Sequence, residues 1–237
     1  MMLAELGGLL AFTPSHASPI DYIDAVVEDN TLAKNTASGR RLTAKRLSEL
    51  YALNPRVPLF RVLRFFWDAE EAGRPLLACL CACARDPLLR ATASHVLSTR
   101  AGELVTRMEL EELIESSGPG RFRPTTRKSI AQNVLSSWTQ SGHLEGRRVK
   151  KRRSPVVTPG NTAYALFVGY LSGIRGPMLF DTFWAGLLDA TTEELHAMSA
   201  EASRREWLDY KRLGAVVEVG FNGLLTKHER ELVHGQD

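Results

Sequence analysis

Prolines divide the early part of this chain into segments too short for anything but small helices. Pro58 opens PLFRVLRFFWDAEE, in which Leu59, Val62, Leu63, Phe66 and Trp67 recur at steps of three and four, the apolar stripe of an amphipathic helix. Gly73 ends that segment, Pro75 opens PLLACLCACARD and Pro87 opens PLLRATASHVLST. Proline is tolerated at a first helical position because the N–H it lacks has no intrahelical partner there. Upstream, in NTLAKNTASGRRLTAKRLSELYALNP, Thr43 is expected to cap a helix that turns Leu47, Leu50 and Tyr51 inward and stops before Pro55. Residues 43–100 therefore read as four short helices in a compact bundle.

The next sixty residues change character. Thr106 is placed to cap RMELEELIES, which closes at Gly118-Pro119-Gly120, and Thr125 or Thr126 to cap a second helix ending near Gln140, with Gly142 as its stop. From His143 to Thr158, Leu144, Val149, Val156 and Val157 are strand-like residues on either side of a basic tip. Helix, turn, helix and a two-stranded ribbon follow the order of a winged helix-turn-helix. Downstream, Asn161 is expected to cap TAYALFVGYLSG, Pro177 to open PMLFDTFWAGLLDA, and Thr191 or Thr192 to cap TEELHAMSAEASRREW, with Glu194 completing a capping box. WLDYKRLGAVVEVGF reads as a hairpin turning near Gly214.

The expected fold class is mainly α: a helical N-terminal bundle, a winged helix-turn-helix, and a C-terminal helical unit with a short β-hairpin. The expected divisions are an arm over 1–30, the bundle over 31–100, the winged helix over 101–160 and the C-terminal unit over 161–237. The arm reads as loosely attached, with a short docking helix near Ile20–Glu28. The C-terminal unit repeats the helix-and-hairpin order and reads as a second winged-helix-like unit with a mildly basic tip, Lys211 and Arg212.

Charge is where composition matters. The chain is only +3 overall, yet Arg121 to Arg153 holds ten Lys or Arg against Glu145 alone, so the remainder is acidic. Such segregation presents a basic patch to a polyanion. Six of the cations, Arg147, Arg148, Lys150, Lys151, Arg152 and Arg153, fall within seven residues. On the helix before them, Ile130, Val134, Leu135 and Trp138 gather on one side. The other side carries Ser129, Gln132, Ser136 and Gln140, flanked by Lys128 and Asn133. Gln and Asn pair bidentately with adenine edges, and Ser reaches phosphates or base edges. Arg127 and Lys128 in the first turn oppose the helix dipole, which helix stability does not explain and a DNA phosphate does. The expected DNA-binding residues are thus Arg127, Lys128, Ser129, Gln132, Asn133, Ser136, Arg147, Arg148, Lys150, Lys151, Arg152 and Arg153. Arg40, Arg41, Lys45 and Arg46 form a secondary basic patch.

Other classes find little support. The first residues lack the basic n-region of a signal peptide, and Ala163 to Ile174, the longest apolar run, is shorter than the ~20 residues a spanning helix needs. A cytoplasmic protein with no membrane partner is expected. Cys79, Cys81 and Cys83 are an odd-numbered cluster that makes no disulfide framework, and they read as small buried helix residues. The six His are scattered, and ELEELIE reads as one solvated helix face, so no metal and no cofactor are expected. No phosphate-binding glycine loop or nucleophile elbow is present, so the chain reads as a non-enzyme.

Three stretches resemble the BrxA proteins of bacterial BREX phage-defence systems: the basic Arg40–Leu50 helix with its short successors, CARDPLLRATASHVL, and FRPTTRKSIAQNVLSSWTQSGHLEG. The resemblance covers about Leu32 to Tyr170. It implies a small, mostly helical, non-enzymatic DNA-binding accessory protein of winged-helix character, contacting DNA through Arg127, Lys128, Gln132 and the Arg147–Arg153 wing. The partners expected are double-stranded DNA and other defence-system proteins. An adaptor whose basic loop meets an acidic protein, and an RNA-binding protein, are the two alternatives.

Overall fold

The computed structural model describes residues 1–214 and 216–234. The chain is mainly helical. Helices α1 (Leu3–Phe12), α2 (Pro19–Val27), α3 (Ala37–Tyr51), α4 (Pro58–Ala69), α5 (Arg74–Arg85), α6 (Pro87–Ala91), α7 (Ala93–Ser98), α8 (Arg107–Ser116) and α9 (Pro124–Gln140) precede a first hairpin, β1 (Leu144–Glu145) and β2 (Lys151–Arg152). Then come α10 (Pro159–Leu171), a 3-10 helix (Gly176–Asp181), α11 (Phe183–Gly186), α12 (Thr192–Arg204), a second hairpin of β3 (Asp209–Leu213) and β4 (Val216–Gly220), and α13 (Lys227–His234). Among the described residues, both sheets are antiparallel pairs. No described helix is long and apolar enough to cross a membrane.

Local chemistry sets the helix starts. Thr106 and Glu109 form a reciprocal capping box on α8, and Thr191 and Glu194 form one on α12, both as expected. Two starts differ from expectation. Thr36, not Thr43, caps α3 by accepting from Gly39 N at 3.0 Å, and Thr43 is buried inside the helix. Asn161 is the third residue of α10, the far half of a capping box whose N-cap is Thr158, with Pro159 at the first helical position. The single helix expected from Pro87 is two, α6 and α7, divided at Thr92. The Thr92 hydroxyl donates to Leu89 O at 2.8 Å and accepts from the buried Trp138 Nε1 at 2.9 Å. A buried indole N–H needs an acceptor, and Thr92 supplies it. The segment from Pro177 is a 3-10 helix followed by α11, not one helix. Val156 and Val157 lie outside β2.

The chain forms two compact units, residues 1–65 with 78–155, and residues 66–77 with 156–237. These cut the sequence at places other than the four expected segments. In the first unit, residues 1–30 are not a loose arm. Leu6, Leu9, Leu10, Tyr22 and Val26 are at most 2% exposed. The Arg64 guanidinium donates to Leu10 O at 2.6 Å and Thr13 O at 3.1 Å, satisfying carbonyls at the end of α1, and Tyr51 Oη donates to Met1 O at 2.6 Å.

The second unit is built on α10, whose residues from Pro159 to Tyr170 are all buried. Phe66 meets Tyr164 edge-on, and Phe221 meets Phe167 and Tyr170. Glu70 Oε2 accepts from Gly160 N at 3.0 Å, placing a carboxylate at the positive end of the helix. A Cβ at Gly160 would stand 2.6 Å from that oxygen, so any larger residue there would have to displace the Glu70 carboxylate from the helix start.

Candidate nucleic-acid interface

Helix α9 begins one turn before its recognisable polar face. Arg123 is the N-cap and Pro124 the first helical residue, ahead of the Thr125 and Thr126 expected to cap it. Ala131, Val134, Leu135, Ser137 and Trp138 are buried, while Ile130 is only half-buried. Trp138 packs edge-on against His143 with ring centroids 5.0 Å apart, and Ser141 Oγ lies 2.8 Å from His143 Nδ1. Gly142, at φ 89°, provides the expected turn out of the helix.

The polar face divides into an open part and a covered part. Lys128, Ser129, Gln132 and Asn133 are exposed. Ser136 is half-buried and accepts from Gln140 Nε2 at 3.0 Å. Gln140 Oε1 accepts from Leu3 N at 2.8 Å, and Met1 N donates to Ser137 Oγ at 2.5 Å. The start of the chain thus lies along the last turn of α9, and Ser136 is not displayed as the sequence pattern suggests.

Arg127 is also placed otherwise than expected. Its guanidinium forms an ion pair with Glu115 of α8. The other Glu115 oxygen accepts from Gly120 N at 3.0 Å, in the turn between α8 and α9. Gly120's N–H first, and Arg127 second, hold the Glu115 carboxyl below its ordinary range. Arg127 therefore joins α8, the turn and α9 into one piece, and its charge is already matched.

The first hairpin pairs Leu144 with Arg152 and Glu145 with Lys151. A third extended segment joins it. Gly102 N donates to Arg152 O, Arg152 N to Glu103 O, and Val105 N to Lys150 O, at 2.8 to 3.0 Å. Strand alternation then sorts the basic run. Arg152 sits opposite the buried Leu144 and is itself only 4% exposed. Its Nε donates to Val96 O at 2.7 Å and its Nη1 to His143 O at 3.4 Å and to Arg153 O. Arg152 is a core cation, contrary to its expected place on a DNA-facing tip. Arg147, Arg148 and Lys151 are exposed and have no carboxylate partner among the described residues. Lys150 is half-buried and donates to Gly146 O at 2.5 Å, closing the tip. Arg153 is exposed, 3.7 Å from Glu145.

Two residues outside the expected set belong to this surface. Arg121 and Arg123 are exposed in the turn leading into α9, with Arg121 lying over the Phe122 ring at 4.9 Å. Their position just before the polar helix was the signal available in the sequence. On α3, Arg41, Lys45 and Arg46 are exposed, Lys45 lies 3.9 Å from Glu49, and Arg40 is half-buried. Among the described residues no three His, Cys, Asp or Glu side chains are grouped to hold a metal ion. Comparison with protein-family models, with curated proteins and with solved structures finds no match to this chain.

Proposed function

We propose that this protein binds duplex DNA without catalysing a reaction, through a winged helix-turn-helix spanning α7 to β2. The observation that carries the reading is the set of exposed, unmatched cations Arg147, Arg148 and Lys151 on a hairpin that directly follows the helix with the open polar face. The order supports it: a helix, an extended segment at Leu104, two helices, then a hairpin to which that segment adds a third strand.

In this reading the first turns of α9 enter the major groove. Gln132 and Asn133 face base edges, where each amide matches an adenine. Lys128, Ser129 and the free N–H groups at the start of α9 meet phosphate oxygens. The hairpin lies on the backbone beside that groove. Arg127 and Arg152 position these elements and do not touch DNA. The resemblance to BrxA proteins supplies a setting, an accessory protein of a phage-defence system working beside other proteins of that system.

The test is a salt titration of duplex binding. Lys128, Arg147, Arg148, Lys151 and Arg153 together neutralise about five phosphates, so log affinity should fall against log salt with a slope of about −4 to −5. Changing Arg147, Arg148 and Lys151 to Ala should flatten the slope by about 3. If wild type and variant bind alike, or neither binds, the reading is wrong. Tighter binding of an acidic protein would then point to an adaptor, and tighter binding of structured RNA to an RNA-binding protein.

A further inference from the structure

A groove of the first unit, about 790 Å³, runs along α9, with Ile130 and Asn133 on one wall and Arg46 and Glu49 of α3 on the other. Its carboxylates are already matched. Glu5 pairs with Lys34 at 3.1 Å, Glu49 lies 3.9 Å from Lys45, and Asp86 accepts from Leu88 N and Leu89 N at the start of α6. Arg46 has no ion-pair partner among the described residues, and neither has Arg41, exposed on α3 beyond the groove lining. The groove is therefore electropositive at its α3 wall and amide-lined at its α9 wall.

From this we infer that α3 is a second phosphate-binding element of the DNA site. One strand's sugar-phosphate backbone lies along the groove between α9 and α3, gripped by Arg46 in the groove and by Arg41 farther along the exposed face of α3, while the hairpin holds backbone elsewhere on the same duplex. The inference rests on the proposed DNA-binding function and extends it from one basic element to two. Its chemistry is that of a continuous duplex: a helix whose polar residues meet base edges is flanked by phosphates, because the major groove is only about 12 Å wide. A cation on the facing wall of a groove beside that helix is placed to meet them. The matched carboxylates leave no net repulsion in the way. Lys45 and Glu49 offset each other, so the positive charge of this wall comes from Arg41 and Arg46.

The experiment compares four proteins on one duplex at several salt concentrations. They are wild type, the hairpin variant (Arg147→Ala, Arg148→Ala, Lys151→Ala), the α3 variant (Arg41→Ala, Lys45→Ala, Arg46→Ala) and a control of equal charge loss in the second unit (Arg204→Ala, Lys211→Ala, Arg212→Ala). All three sites of the α3 variant are exposed, and circular dichroism confirms that each protein is folded. The expected result is a loss of about 10²-fold at 0.1 M salt for the α3 variant and a salt slope shallower by 2 to 3, with the control near wild type. If the hairpin variant weakens while the α3 variant matches the control, the α3 contact is wrong and the hairpin reading stands. If wild type does not bind duplex DNA, both fall together. If the α3 variant loses affinity only for a competing RNA hairpin, α3 serves RNA and the inference is overturned.

Discussion

The two hairpins have similar sequence credentials, but the cations of one are unmatched and those of the other are paired. Each follows a helix, and each carries cations at or near its tip. In the first, Arg147, Arg148 and Lys151 are exposed without carboxylate partners. In the second, Arg212 pairs with Glu193 at 2.9 Å and Lys211 lies 3.8 Å from Glu218, while the extreme tip presents Leu213 and Val216, 86% and 71% exposed. The helices differ in the same way. The open face of α9 holds Lys, Ser, Gln and Asn, whereas α12 carries Glu193 and Glu194 in its first turn, and its last residue Arg204 and its C-cap Arg205 are both bonded to Glu201. Similar element order therefore does not carry similar surface charge. What separates the two is whether the unit supplies its cations with its own acids.

The sharpest way to break this comparison lies within the first hairpin. Arg152→Ala removes a buried guanidinium that satisfies Val96 and His143 carbonyls, and should cost about 3 kcal/mol, because the carbonyls are left dry and unpaired. Thermal melting should fall by roughly 6–12 °C for a chain of this size. Lys151→Ala, one residue away, should leave melting nearly unchanged and weaken DNA binding. Equal melting losses for the two would refute the inward placement of Arg152. Next in size is the contrast between hairpins. Changing Arg147, Arg148 and Lys151 to Ala should reduce duplex affinity by about 10²-fold at 0.1 M salt, as three lost phosphate contacts imply. The pair Lys211→Ala and Arg212→Ala should change it by less than about 2-fold, since both charges are already matched. A large loss for the second pair would mean that both hairpins bind.

Acid should separate the units in a third way. His196 in the second unit has its ring pushed below the ordinary 6.5 by burial first and by Arg212 second, and its Nδ1 lies 2.9 Å from Tyr210 Oη on β3. A folded value below the unfolded one means the stabilisation is full above 6.5 and is lost as pH falls through the folded value. Glu115 in the first unit is likewise depressed, but from 4.5, so its link to Gly120 and Arg127 survives until the carboxylate range. Hydrogen exchange of hairpin amides followed from pH 7 to 4 should therefore show β3 and β4 loosening before the α8–α9 turn. The smallest effect expected is that of Glu193→Gln, which frees Arg212. Duplex affinity should rise by no more than about 2-fold, and a larger rise would show that the second unit needs only its acid removed to bind.

Much of the helical order was legible from individual residues. Thr106 with Glu109, Thr191 with Glu194, Pro58, Pro87 and Gly142 each work through neighbours within a few positions, and each acts where expected. The mistakes came from contacts that span the chain. Arg127 finds Glu115 across twelve residues, Trp138 finds Thr92 across forty-six, and Arg152 finds Val96 across fifty-six. No periodicity in the basic run distinguishes the arginine that turns inward until the register with Leu144 is known. Two errors were avoidable. Thr158 precedes Pro159 with Asn161 three residues after the cap, a complete start signal. Leu6, Leu9 and Leu10 carry helical spacing within the segment expected to be a loose arm.

One feature of the first unit gives it an internal reporter. Cys79, Cys81 and Cys83 are the chain's only cysteines, all lie in α5 within that unit, and each is at most 1% exposed. Cys83 is further passivated, its thiol pushed well up by the hydrogen bond with Cys79 first and by burial second. A thiol-specific dye added to the native protein should therefore react only in molecules whose first unit has opened, since the thiolate is the nucleophile and all three thiols are buried away from water. The second unit has no cysteine to add background. Labelling rate thus becomes a clock for one half of the molecule alone, and a duplex that engages α3, α9 and the hairpin together should slow it.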